Sequence, residues 1–213
     1  MSTKELERVA FAELTEELAA RGFRKRAGIV YTSEIAEGIT GIARMNRSIP
    51  APYDAVILFP VVGVRHEPSA RIVDRIRGWS AWSRFSTVEK GLYTLVPWLG
   101  PGDGNWGLTA DRLSRQTTLA DLMRCMDAAG IPFMLSLSTP QRVLGFLDSD
   151  SGARSRFQAA VLRWSIGERD SALKDLRLLV QYGEASERGT VSNQYAPIAR
   201  VALELLESGE CRE

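Results

Sequence analysis

"RGFRKRAGIVYT", residues 21–32, is where the hydrophobic period of this chain changes. Before it, Leu6, Ala10, Leu14 and Leu18 recur every four positions, with Val9 and Phe11 widening the stripe, the spacing of one face of an α-helix. After Gly22, Phe23, Lys25, Ala27, Ile29 and Tyr31 alternate with Arg24, Arg26, Gly28, Val30 and Thr32, the period of a strand. The stretch predicts a helix over 3–21, opened by a Ser2/Glu5 capping box and stopped by Gly22. A strand kinked at Ala27–Gly28 is expected to follow. It also holds four cations in six positions. Arg21 belongs to the helix end, Arg24 and Arg26 to one strand face, and Lys25 to the other, so they form a surface only if further arginines join one face.

Downstream, strands are expected at 38–46, 55–64 and 91–100. Pro60 argues for a bulge or an edge position in the second of these. Helices are expected at 69–77 with Ser69 as cap, at 117–130 with a threonine cap and Gly130 as stop, and at 139–149 with Thr139 and Pro140 at the start. "IPFMLSLS" (131–138) reads as extended and 100–105 as a loop. Past "DSDSGARS" (148–155) the pattern is helical only, at 156–166, 168–182 and 192–208. The fold class is α+β: a small antiparallel sheet with packed helices, followed by a C-terminal helical segment. The division is a domain over 1–150 and a helical extension over 151–213.

The 213 residues are 45% apolar and 25% charged, the mix of a globular protein. A formal net charge of +1 lends no support to non-specific nucleic-acid binding. The charge is uneven: residues 21–90 carry twelve cations and six anions, while residues 1–20 carry two and five. Two cysteines, Cys125 and Cys211, are too few for a disulfide framework, and Cys125 reads as a small core residue. The acidic amphipathic N-terminus does not read as a signal peptide, and the longest apolar run, 55–64, is too short to span a bilayer. A cytoplasmic location and no membrane partner are expected.

Little in the chain carries chemistry. The single histidine, His66, reads as an exposed or hydrogen-bonded strand end. Without partner ligands it supports neither metal binding nor acid–base work. "GPGDGNWG" (100–107) lacks the lysine of a phosphate loop and the following helix of a dinucleotide fingerprint. Asp148 and Asp150 read as solvated linker charges without the further ligands of a calcium loop. No Gly-x-Ser-x-Gly elbow is present, and the Asn46-Arg47-Ser48 sequon matters only in a secreted chain. No cofactor, metal or catalytic set is implied. "RIVDRIRGWSAWSRF" (71–85) combines Arg75, Arg77 and Arg84 with Trp79 and Trp82, chemistry shared by protein hot spots and single-strand binders. With Arg24, Arg26, Arg44 and Arg47 these residues are the candidate binding set; the plain alternative is tryptophans covering the sheet and solvated arginines.

The helix ending in "RGFRKRAGIVY", with "LADLMRCMDAAGIPFMLSLSTPQRVLGFL" (119–147), resembles the uncharacterised bacterial family known as domain of unknown function 4304. The resemblance covers about residues 3–147, through Gly22, Phe23, Lys25 and Tyr31 and then Gly130, Pro132 and Phe133. It brings no reaction; bacterial domains of this kind invite comparison with immunity proteins. "SIGERDSALKDLRLLV" (165–180) is similar to the second half of a tetratricopeptide hairpin, although one partial repeat reads first as an ordinary helical hairpin. The first expectation is a non-catalytic, immunity-like or other protein-interaction domain of the bacterial cytoplasm, with another protein as partner. The alternatives are a nucleic-acid or anion-binding module using the Arg/Trp-rich surface, and an enzyme whose site has no sequence signature.

Overall fold

The computed structural model describes residues 2–48, 55–78, 86–99, 104–185 and 191–208. They form two compact units, residues 1–64 with 89–136, and residues 65–88 with 137–213. The fold class is the expected α+β, with helices at the C-terminal end.

In the first unit, α1 (Thr3–Ala19) begins at Ser2, whose hydroxyl accepts the Glu5 N–H at 3.3 Å, and buries Leu6, Ala10, Phe11, Leu14 and Leu18. Gly22 turns the chain at φ 81°, in the left-handed region that favours glycine. The single kinked strand expected next is a hairpin. β1 (Arg24–Ala27) and β2 (Val30–Ala36) pair antiparallel around Gly28 at φ 57°. The apparent kink is the turn itself, together with a register shift in β1 between Lys25 and Ala27.

Strands β3 (Ile39–Ser48), β4 (Ala55–His66), β5 (Val88–Gly91) and β6 (Trp106–Thr109) complete a six-stranded sheet in the order β1-β2-β3-β4-β5, with β6 also on β4. Pro60 therefore lies on an interior strand. It falls just beyond the last β6 pair, Leu58↔Trp106, so its missing N–H costs no bond to that strand. The strand expected at 91–100 stops at Gly91. Leu92 and Val96, four apart, are both buried, and a 3₁₀ turn at Leu92–Thr94 follows instead. "WGLT", expected within and after a loop, is a strand whose Trp106 and Leu108 point inward.

Helix α3 (Arg112–Cys125) starts five residues before Thr117, capped by Asp111, which accepts the Ser114 N–H at 2.7 Å. It runs through a π-helical turn at Met126–Gly130 into α4 (Ile131–Ser136), where an extended segment is expected. Pro132 follows directly on the π-helical turn, in which the Ile131 N–H reaches back to the Met126 carbonyl, and the helical path continues through it. Cys125 is fully buried, as expected, and burial pushes its thiol pKa up.

The second unit contains α2 (Glu67–Ile76), α5 (Pro140–Asp148), α6 (Ala153–Ser165), α7 (Arg169–Ala185) and α8 (Val191–Glu207). Val73 and Ile76 of α2 share one apolar core with Phe157, Val161, Leu176, Leu179, Ala202 and Leu206. The short helix after β4 thus folds with the C-terminal helices. Thr139 and Pro140 open α5, and Gly167, at φ 92°, separates α6 from α7, both as expected.

The cap of α2 is His66, not Ser69. Its Nδ1 accepts the Ser69 N–H at 3.4 Å, its backbone N–H donates to Thr87 Oγ1 at 3.0 Å, and the residue is 4% exposed. Neutral imidazole can accept there; imidazolium cannot, and its charge would oppose the positive end of the helix. Desolvation lowers the His66 pKa, only partly offset by Glu67. A folded value below the unfolded value of about 6.5 means the unfolded chain binds the proton more readily. The stabilisation is therefore complete above about pH 6.5 and is lost as pH falls from there through the lowered folded value. His66 is the only histidine, and the hydrogen bond from Arg115 lowers the Glu13 carboxyl pKa, moving that titration away from the histidine window. Thermal unfolding followed from pH 7.5 to 5 is expected to show falling stability in the wild type and a flatter profile in His66→Asn, which keeps a cap acceptor that does not titrate.

Candidate functional site

Strand register decides which basic side chains meet. Arg24 pairs with Thr32 and Lys25 with Tyr31, whose hydroxyl shares a 3.0 Å hydrogen bond with Thr15 of α1. Lys25 and Tyr31 thus lie on the face that carries α1, and Arg24 on the other. On β3, Ala43 pairs with Tyr31, so Met45 and Arg47 follow on the α1 face, whereas Arg44, opposite Val30, lies on the Arg24 face. Arg26 is the extra residue of a bulge, because the register advances two positions on β1 for one on β2 between Lys25↔Tyr31 and Ala27↔Val30. Simple alternation, which puts Arg24 and Arg26 on one face, fails at that bulge.

The expected basic set is therefore divided. Arg44 is four-fifths buried and bonds Glu89 at 2.9 Å, across the strand that separates β3 from β5. Arg24 and Arg26 are exposed. Arg75 closes the last turn of α2 and Arg77 is its C-cap, both in the second unit. Trp79, Trp82 and Arg84 lie outside the described residues.

Of that set, Arg47 enters a concave site. It bonds Glu7 at 2.7 Å and lies over the Phe11 ring, 5.6 Å from its centroid. Around this pair is a groove of about 280 Å³ lined also by Lys4, Arg8, Lys25, Gly28 and Ile29. Helical spacing assembles one wall, since Lys4, Glu7, Arg8 and Phe11 stand three or four apart on α1. Strand alternation and register supply Lys25 and Arg47 as the other. Lys4 and Arg8 lie on a helix that is acidic overall, which masks them in the sequence. The spacing was the available signal.

A larger cavity of about 390 Å³ lies in the second unit, lined by Asp148, Asp150, Arg156, Arg163, Asp175 and Tyr182 among others. Its central cation is already matched: Arg163 bonds Asp148 and Asp175, each at 2.7 Å. Asp150 accepts from the Gly152 N–H and the Ser155 hydroxyl, tying down the turn before α6. Among the described residues no group of three or more His, Cys, Asp or Glu side chains could hold a metal ion, and no helix is long and apolar enough to cross a membrane.

A further surface lies on β4. Val56, Leu58, Pro60 and Val62 are buried on one face, while Ile57, Phe59 and Val61 alternate on the other, with Phe59 39% exposed. Ile57 faces Gly107 of β6, and a Cβ at Gly107 would meet nothing within 4 Å. The chain matches no protein-family model, no curated protein and no solved structure, so the resemblance noted above rests on its short motifs alone.

The division between a structural and an available arginine can be measured. Arg44→Met is expected to cost about 1–3 kcal/mol in urea unfolding, because it strips the largely buried Glu89 carboxylate of a charged partner. Arg24→Ala should stay within about 0.5 kcal/mol. Equal losses would contradict the division.

Proposed function

We propose that the chain is a non-catalytic protein-interaction domain whose partner covers the open face of β4. The supporting observation is the row Ile57, Phe59 and Val61 on that face, beside a strand position, Gly107, with no side chain to cover it. An antiparallel sheet that meets water on one side normally places polar residues there. An open apolar row costs solubility and is the kind of surface a partner removes from water. Phe59 would serve as the anchor, large and rigid enough to fill a partner's pocket. The narrower immunity-like reading makes that partner a toxin acting in the bacterial cytoplasm; its support is the analogy attached to the resemblance over residues 3–147.

A photo-crosslinking phenylalanine at position 59, irradiated in cells, is expected to give a discrete adduct with one partner protein. The adduct should disappear when Val61→Lys is added, while the melting temperature moves by only a few degrees, as for a partly exposed side chain. Absence of an adduct would overturn the proposal. So would a large fall in melting temperature on Phe59→Lys, which would make Phe59 part of the core.

A further inference from the structure

Several well-covered arginines are matched to carboxylates. Arg65 bonds Glu67 and Asp74, Arg115 bonds Glu13, and Arg163 bonds Asp148 and Asp175. The groove beside α1 breaks this habit. Lys4, Arg8 and Lys25 line it without an ion pair or hydrogen bond to the described residues, and only Arg47 has a carboxylate, Glu7. Among the described residues that line the concavity, four cations stand against one carboxylate, an excess of three positive charges. Holding like charges together is unfavourable in the free protein, and the partial positive charge of the first turn of α1 adds to the same potential. An anion entering the groove offsets that repulsion.

We propose that this groove binds a small phosphate ester. Its dianionic head sits among Lys4, Arg8, Lys25 and Arg47, and its apolar body lies against Phe11 and Ile29. A dianion answers the three-charge excess better than a single carboxylate does. The planar Arg47 guanidinium, lying over the Phe11 ring at 5.6 Å from its centroid, offers paired donors suited to a phosphate. A volume of about 280 Å³ suits a small organic phosphate and is far too confined for a nucleic-acid duplex. Glu7 is the internal competitor, since it occupies the guanidinium that the phosphate would take. This site is separate from the β4 surface and stands or falls independently of it.

The test is titration of the full chain at low ionic strength with phenyl phosphate and, separately, inorganic phosphate, read by calorimetry and amide shifts. Phenyl phosphate is expected to bind the more tightly, with shifts confined to residues near 4–11, 25–29 and 47. Arg8→Glu with Lys25→Glu, both at exposed positions, should weaken binding about tenfold or more and leave the melting temperature within a few degrees. Glu7→Gln should tighten binding severalfold, a gain that unfolding cannot mimic. A nucleoside monophosphate and a phosphotyrosyl peptide then separate the two sources of such a head group, and preference for either supports the site. No binding, binding unaffected by the double charge reversal, no gain in Glu7→Gln, or inorganic phosphate binding as tightly as the ester would each overturn the proposal.

Discussion

Leu6, Ala10, Leu14 and Leu18 go out of water together along one side of α1, and Thr15 beside them bonds the hydroxyl of Tyr31. That contact settles which face of the hairpin is covered. Once Tyr31 lies under α1, the two-residue period puts Lys25 and Arg47 on the same side and Arg24 and Arg44 on the opposite one. A register slip of one residue would bury the polar set and break the Thr15–Tyr31 bond. The apolar stripe of one helix thus determines which cations of a distant strand share the groove with Lys4 and Arg8. Burial raises the Tyr31 phenol pKa, as expected of a hydroxyl that belongs to the packing.

The helix-to-strand change at Gly22, the stripe of α1 and the openings of α5 and α7 were legible because each is a local matter of period or punctuation. What was not legible depended on contacts remote in sequence. Residues 91–100 have enough apolar content for a strand, but Leu92 and Val96 are buried at a helical spacing. "IPFMLS" looks extended because proline reads as a breaker; after a π-helical turn it falls where a helix tolerates it. His66 as a helix cap could not be read from its neighbours, since imidazole is rare in that role and Ser69 offered the commoner one. The groove was half legible. Alternation put Lys25 apart from Arg24, but only pairing could add Arg47, and only the packing of α1 could add Lys4 and Arg8.

The arginines divide by what they displace from water. Arg115, 4% exposed, bonds both oxygens of Glu13 and also donates to the carbonyls of Thr109 and Ala110, so its charge is matched wherever it is buried. Arg21 does the same at the surface, joining Glu17 and Asp127 and fastening the end of α1 to the turn after α3. An abundance of arginine is therefore not in itself a binding signature here. Arg21, Arg44, Arg115 and Arg163 hold helices and strands to one another, with planar forks that lysine could not copy.

That structural use sharpens the meaning of the exceptions. Where the described residues supply no paired carboxylate, as at Lys4, Arg8 and Lys25, the cost of gathered positive charge is left for something else to offset. The same reasoning applies with the sign of polarity reversed at β4. There the face of Val56, Leu58 and Val62 is fully covered, whereas the face of Ile57 and Phe59 is only half covered. At Gly107, opposite Ile57, an added Cβ would meet nothing within 4 Å, so the space beside Ile57 is open. Two kinds of unmet physical demand, charge in the groove and apolar area on the sheet, stand at different places on one scaffold. Each calls for a different chemistry, so one ligand does not account for both.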